Sequence, residues 1–119
     1  MAESFRYVVL RHEGYGQPHY DLMFETSPGS DLLTWRSPNW PLEDGSTLTA
    51  LNEHRRAYLT FEGPLSGGRG HVRRIHGGNY ELSLNSPEKF AGRLVGDLTF
   101  FFEKEGMTNW RCRIRPAGQ

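Results

Sequence analysis

Hydrophobic positions along this chain recur at every second residue far more often than at helical spacing. Phe5 to Arg11 (FRYVVLR) is dense in β-branched and aromatic residues and predicts a strand. Glu13 to Pro18 (EGYGQP) is a turn or short loop. From His19 to Glu25 the alternation is clean: Tyr20, Leu22 and Phe24 share one face, and His19, Asp21, Met23 and Glu25 the other. The two segments predict a hairpin. Short strands are expected at Leu32 to Arg36, Thr47 to Leu51 and Tyr58 to Phe61. Asn52 to Arg56 is expected to be a polar connection with at most one helical turn. His71 to His76 and Tyr80 to Leu84 flank Gly77-Gly78-Asn79, which predicts a hairpin turn. Ser86 to Phe90 reads as a helical turn or loop. Gly92 to Glu103 and Asn109 to Arg115 predict a last hairpin around Glu105-Gly106.

Nothing holds a 3.6-residue period over three turns. About eight or nine short strands at hairpin spacing predict an all-β, mainly antiparallel fold. Closing the sheet removes its edges, so a small closed or nearly closed β-barrel is expected, as a single domain over 1–119.

Composition narrows the function. Lys+Arg and Asp+Glu are equal at 14 each, so no global field draws the chain to nucleic acid or membrane. Cys112 is the single cysteine, which excludes an internal disulfide and cysteine-cluster metal sites. Its alternation with Trp110 and Ile114 predicts a buried, inert thiol. The amino terminus carries charge where a signal peptide needs an apolar run, and no apolar run approaches membrane-spanning length. A cytoplasmic location and no membrane partner are expected.

The candidate chemistry sits in Arg11 to Glu25, RHEGYGQPHYDLMFE. His19 and Asp21 point the same way, roughly 7 Å apart along a strand. That spacing suggests that one binds a metal and the other touches metal-bound substrate. His12, across the turn, and His54, in a separate segment, can add imidazoles. Two imidazoles and one carboxylate with open positions suit manganese, iron or zinc. The residues alone equally allow two solvated histidines and an Asp21–arginine pair.

Arg6 to Glu25 resembles the opening of the 3′-phosphoesterase domain of bacterial DNA ligase D. The likeness continues at Trp35 with Pro38 and Pro41, at Glu53-His54, at Tyr58, at Phe61-Glu62-Gly63, at Gly67 to Gly70 and at Gly78-Asn79-Tyr80. It covers nearly the whole chain. The resemblance implies a manganese-dependent enzyme that removes a 3′-phosphate or a terminal ribonucleotide from DNA, leaving a ligatable 3′-hydroxyl. It implies His12, Asp21 and His54 as metal ligands, with zinc or another divalent ion as an alternative to manganese. His19 would contact the scissile phosphate, and Tyr58 would sit beside the site. The implied partners are DNA 3′ ends or a primer-template, and DNA end-joining proteins.

The chain departs from that family at basic positions. Met23 stands where the family has an arginine. Asn39 lies near the place of a lysine, and Ser46 or a neighbour takes the place of another arginine. Arg11, Arg69, Arg73 and Arg74 are the candidates to restore phosphate-binding charge, with Arg11 and Arg69 assigned to substrate. Arg111, Arg113 and Arg115 line one strand face that could track a DNA backbone or simply face water. Trp35, Trp40 and Trp110 read as core or rim packing.

The sequence also allows two rival readings. One is a barrel that binds a metal and a nucleic-acid end, or another phosphate ligand, without turnover; Met23 favours it. The other is an iron oxygenase built on His19-x-Asp21 with a distant histidine such as His76. The chain is short for that fold, and this reading leaves His12 and His54 unexplained.

Overall fold

The computed structural model describes residues 3–116. Nine strands follow in order: β1 (Glu3–Glu13), β2 (His19–Glu25), β3 (Leu32–Ser37), β4 (Thr47–His54), β5 (Gly63–Pro64), β6 (His71–Ser86), β7 (Lys89–Leu94), β8 (Leu98–Lys104) and β9 (Asn109–Arg115). Every pairing is antiparallel. Neighbours run β1-β2-β3-β4-β9-β8-β7-β6-β5, and β1 pairs with β6 as well. That last pairing draws eight strands into a near-complete ring, with β5 appended to β6. Strand β6 makes the corner. Its first part pairs with β1 from Glu13↔His71 to Glu3↔Leu82, and its end pairs with β7.

The interior is aromatic because alternate residues of every strand must fill a narrow ring. Phe24 stands at its centre. Its ring lies 5.0–6.2 Å from those of Tyr7, Trp35, Tyr80, Phe90, Phe100 and Phe102. Trp35 and Trp110 are buried, and Trp40 packs half-buried against His76 at 5.1 Å. Cys112 is fully buried, and burial pushes its thiol up to about 11, which leaves it unreactive.

A second apolar cluster lies outside the ring. Val8 and Leu10 of β1, Met23 of β2 and Leu32 of β3 meet Val72 and Leu59 there, with Tyr58 and Leu65 packed alongside. The chain from 55 to 70 covers this face. The expected alternation in His19 to Glu25 is therefore present, with Leu22 and Phe24 inside and Met23 outside, but both faces are buried.

Three sequence expectations are corrected. Gly77-Gly78-Asn79 is no turn; it is the middle of β6, paired with Val8, Tyr7 and Arg6. A Cβ at Gly77 would lie 2.9 Å from the Tyr7 carbonyl oxygen, so glycine serves close backbone approach there rather than reversal. Tyr58 to Phe61 is not a strand. Arg56–Leu59 is a 3-10 turn, which lets consecutive Tyr58 and Leu59 both lean on the outer cluster, as strand alternation forbids. Gly92 to Glu103 is not one strand but β7 and β8, reversed at Val95 to Asp97, where the Asp97 N–H donates to the Leu94 carbonyl at 3.1 Å.

Among the described residues no helix is long and apolar enough to cross a membrane. Two arginines of the β9 stripe are already paired: Arg111 with Glu105 at 2.9 Å and Arg113 with Asp44 at 4.0 Å.

Glu25 ties the cover to the ring. Its carboxylate pairs with Arg56 of the 3-10 turn and accepts the Arg6 N–H at 3.0 Å. Burial pushes the Glu25 carboxyl up, but Arg56 and the Arg6 N–H outweigh it and hold the group below its usual 4.5. A carboxyl depressed by folding stabilises the protein fully above the unfolded value, and the contribution vanishes as pH falls through the folded value. Urea unfolding followed from pH 6 down to about 3 should therefore show a steeper acid loss for wild type than for Glu25→Gln. Equal slopes would remove Glu25 from the cover's stability.

Candidate metal centre

The β1–β2 register places His12 directly opposite His19, and Leu10 opposite Asp21. His12, His19 and Asp21 therefore share the outer face at the turn end of the hairpin. All three are buried, at 7%, 7% and 3% exposure. They form a group that could hold a metal ion: one ligand atom from each lies within 4.8 Å of the others. Met23, next along the same face, is enclosed in the apolar cluster.

Backbone carbonyls orient both rings. His12 Nε2 donates to the Arg69 carbonyl at 2.7 Å, and His19 Nδ1 donates to the Gln17 carbonyl at 2.9 Å. A carbonyl oxygen can only accept, so each facing nitrogen carries the proton. The other nitrogens, His12 Nδ1 and His19 Nε2, are the ones that a neutral ring presents as lone pairs. They face the two oxygens of Asp21 at 3.6 Å each. Burial pushes His19 below its usual 6.5, with Arg36 and His12 adding in the same direction, so its ring is neutral near pH 7.

Arg36 is charged, but its Nε stands 3.7 Å from Asp21 Oδ1, too far to donate to it. Two lone pairs and a carboxylate converge, yet 3.6 Å is too long for a hydrogen bond even with an added proton. His19 Nε2 and Asp21 Oδ1 are buried without any hydrogen-bond partner. A buried carboxylate oxygen left without a hydrogen bond costs free energy. Two ligands sharing one ion at bond lengths near 2.1 Å sit roughly 3.4 Å apart in tetrahedral geometry, close to the spacing found. The outward nitrogens held by carbonyls are the usual support of metal-bound imidazoles. The residues present fit a divalent ion.

Gly70 makes one of those supports possible. Its φ is +77°, and a Cβ there would lie 2.0 Å from the Glu13 carbonyl oxygen. Only glycine lets the 66–70 loop press on the end of β1 and deliver the Arg69 carbonyl to His12. The Arg69 side chain turns away, its Nε donating to the Ser66 carbonyl at 2.8 Å.

The remaining sequence candidates stand elsewhere. His54 pairs with Leu32, at the opposite end of β3 from Arg36, the residue facing Asp21. Strand rise and spacing put it roughly 16 Å from Asp21, beyond the reach of a shared ion. Its Nδ1 donates to the Asn52 carbonyl at 2.9 Å and its ring meets Tyr58 edge-on at 5.7 Å. The structure brings His19, not His54, to His12 and Asp21. Arg11 lies on the opposite face of β1 from His12, with NH1 donating to Tyr20 Oη at 3.0 Å. His76 lies in the ring interior against Tyr7 Oη at 2.7 Å, on the other face of the sheet from Asp21.

Arg36 was missed. It pairs with Asp21 across β2–β3, and its Nε lies 3.7 Å from Asp21 Oδ1. Alternation in Leu32 to Arg36 could place it on a face, but only strand register sets it beside the aspartate. His19 and Arg36 also line an open cavity of about 480 Å³ together with Tyr15, Pro38, Thr47 and Thr49.

No protein-family model and no curated protein sequence matches the chain.

Gly70→Ala should lower metal affinity about 10–100-fold, because it displaces a carbonyl that orients a ligand without touching the ligand itself. His54→Ala should leave metal content unchanged. Elemental analysis after dialysis against a graded chelator reads both, and loss of metal in His54→Ala would refute the ligand set.

Proposed function

We propose that this protein is a metal-dependent phosphoesterase that trims 3′ ends of DNA, removing a 3′-phosphate or a terminal ribonucleotide. The observation that carries the reading is the convergence of two bare imidazole nitrogens and a buried carboxylate beside an open cavity. The likeness to the 3′-phosphoesterase domain of DNA ligase D supports the reaction class and the choice of manganese. A set of two nitrogens and one oxygen with open positions suits manganese, zinc or iron.

His12, His19 and Asp21 would hold the ion. The Gln17 and Arg69 carbonyls keep both rings in the tautomer that presents a lone pair inward. When bound, a divalent ion offsets the charge of a phosphate ester and lowers the pKa of water. Asp21 would serve as the carboxylate ligand of the set. Imidazole ligands carry no charge of their own, so the set would offer the ion a single anionic ligand. The apolar cluster around Met23 and Leu10 closes one side of the group to water.

Burial of Met23 among apolar side chains favours one second reading, a barrel that binds metal and a phosphate end without turnover. A single assay separates the two. A DNA primer-template with a 3′-phosphate or one 3′-ribonucleotide is incubated with and without manganese. Hydrolysis should require the metal, and Asp21→Ala should slow it at least about a hundredfold. Product no greater than in the Asp21→Ala control would sink the enzyme reading.

A further inference from the structure

We propose that the cavity beside His19 is a recognition pocket for the terminal nucleotide of a DNA 3′ end, with Arg36 binding the 3′-phosphate and Tyr15 carrying the base. The proposal rests on the reading above for its substrate class.

Arg36 is the first support. Its Nε is buried and has no hydrogen-bond partner, although the side chain as a whole is 43% exposed. Asp21 Oδ1 is too distant at 3.7 Å to accept from it. A guanidinium stays charged at any working pH and offers a planar fork that matches phosphate oxygens. This one stands at the border between the metal group and an open cavity, with Nε turned to Asp21 and the exposed part of the side chain at the cavity.

Charge gives the second support. With a divalent ion bound by one carboxylate and two imidazole ligands, the group would carry +1. Arg36 raises the total to +2, which balances the roughly −1.5 to −2 of a phosphate monoester near pH 7. Without Arg36 the dianion is under-compensated. No other arginine assigned from the sequence fills this place. Arg11 is on the other face of β1, and Arg69 is bonded back onto Ser66 at 2.8 and 3.1 Å.

The walls give the third. Thr49 pairs with Arg36 across β3–β4, and Thr47, two residues along β4, lines the same cavity, so two hydroxyl-bearing residues flank the guanidinium. Tyr15 closes the other side. Its ring is nearly parallel to that of His12, 17° off at 6.3 Å, and is 56% exposed. An exposed tyrosine held flat beside a phosphate pocket is a stacking platform for a base, which binds any base by its π-face. At about 480 Å³ the cavity lies within the usual range for small-molecule sites.

The test reads binding, not turnover. The probe is a primer-template ending in a 3′-phosphonate, whose P–C bond resists hydrolysis, compared with the same DNA ending in a 3′-hydroxyl. With manganese present, wild type should bind the phosphonate end at least about tenfold more tightly by fluorescence anisotropy. Arg36→Gln should erase that preference while leaving manganese content unchanged, and Arg36→Lys should keep part of it. Tyr15→Ala should weaken both DNAs by the same factor, about fivefold or more. A preference retained in Arg36→Gln, or absent from wild type, overturns the assignment to Arg36. Equal binding by Tyr15→Ala and wild type overturns the stacking role. Normal discrimination without hydrolysis of a 3′-phosphate would sink the phosphoesterase reading and leave the pocket standing.

Discussion

The hairpin β1–β2 is packed on both faces, and that double burial governs where charge can stand in this protein. Inside the ring, Leu22 and Phe24 join the aromatic core; outside it, Val8, Leu10 and Met23 lie under the 55–70 cover. A polar side chain buried on this hairpin, such as Asp21 or Glu25, has no solvent to fall back on. It must find a partner in place or impose a cost of several kcal/mol. Glu25, at one end of β2, finds Arg56 and the Arg6 N–H. Asp21, four residues away, finds only atoms at 3.6 Å or more. The two buried carboxylates thus differ: Glu25 is held by partners of its own, and Asp21 belongs to a group that could hold a metal ion.

The cover is as much a part of that centre as the strands. Its 3-10 turn brings Leu59 onto the outer cluster, and its glycine-rich end brings the Arg69 carbonyl to His12. A loop with few apolar residues thus sets the tautomer of a ligand from its backbone alone. Gly70 in that loop serves backbone contact with Glu13 and Gly14. The glycines permit approach between two main chains, and the nearest side chains simply keep out of the way.

Register also explains why the arginine beside Asp21 comes from β3. Along β2 every second residue shares the face of Asp21, but the next one toward Glu25 is already beneath the apolar cover. A long basic side chain there would be enclosed. Arg36 is lateral to Asp21 rather than ahead of it, at the margin of the cover, where part of its side chain reaches open space. Position across the sheet, more than position along the strand, decides which side chains can combine burial at one end with access at the other.

The all-β class, the two faces of His19 to Glu25 and the pairing of that strand with Phe5 to Arg11 were legible in the sequence. Alternation and turn residues are local, and a hairpin of adjacent segments depends on little else. For the same reason His12, His19 and Asp21 could be singled out before any fold was known, since a short turn returns the chain upon itself. Gly77-Gly78-Asn79 misled because glycine marks both a reversal and a close approach, and only the presence of β1 alongside distinguishes them. His54 and Arg36 exchanged importance for a related reason. Each is joined to β2 through β3, and a register of four residues along that strand separates a neighbour of Asp21 from a residue roughly 16 Å away. The sequence by itself determined a β fold with a charged hairpin. Tertiary structure decided which charges meet, because distance across a sheet is set by strand order and register, which no single segment contains.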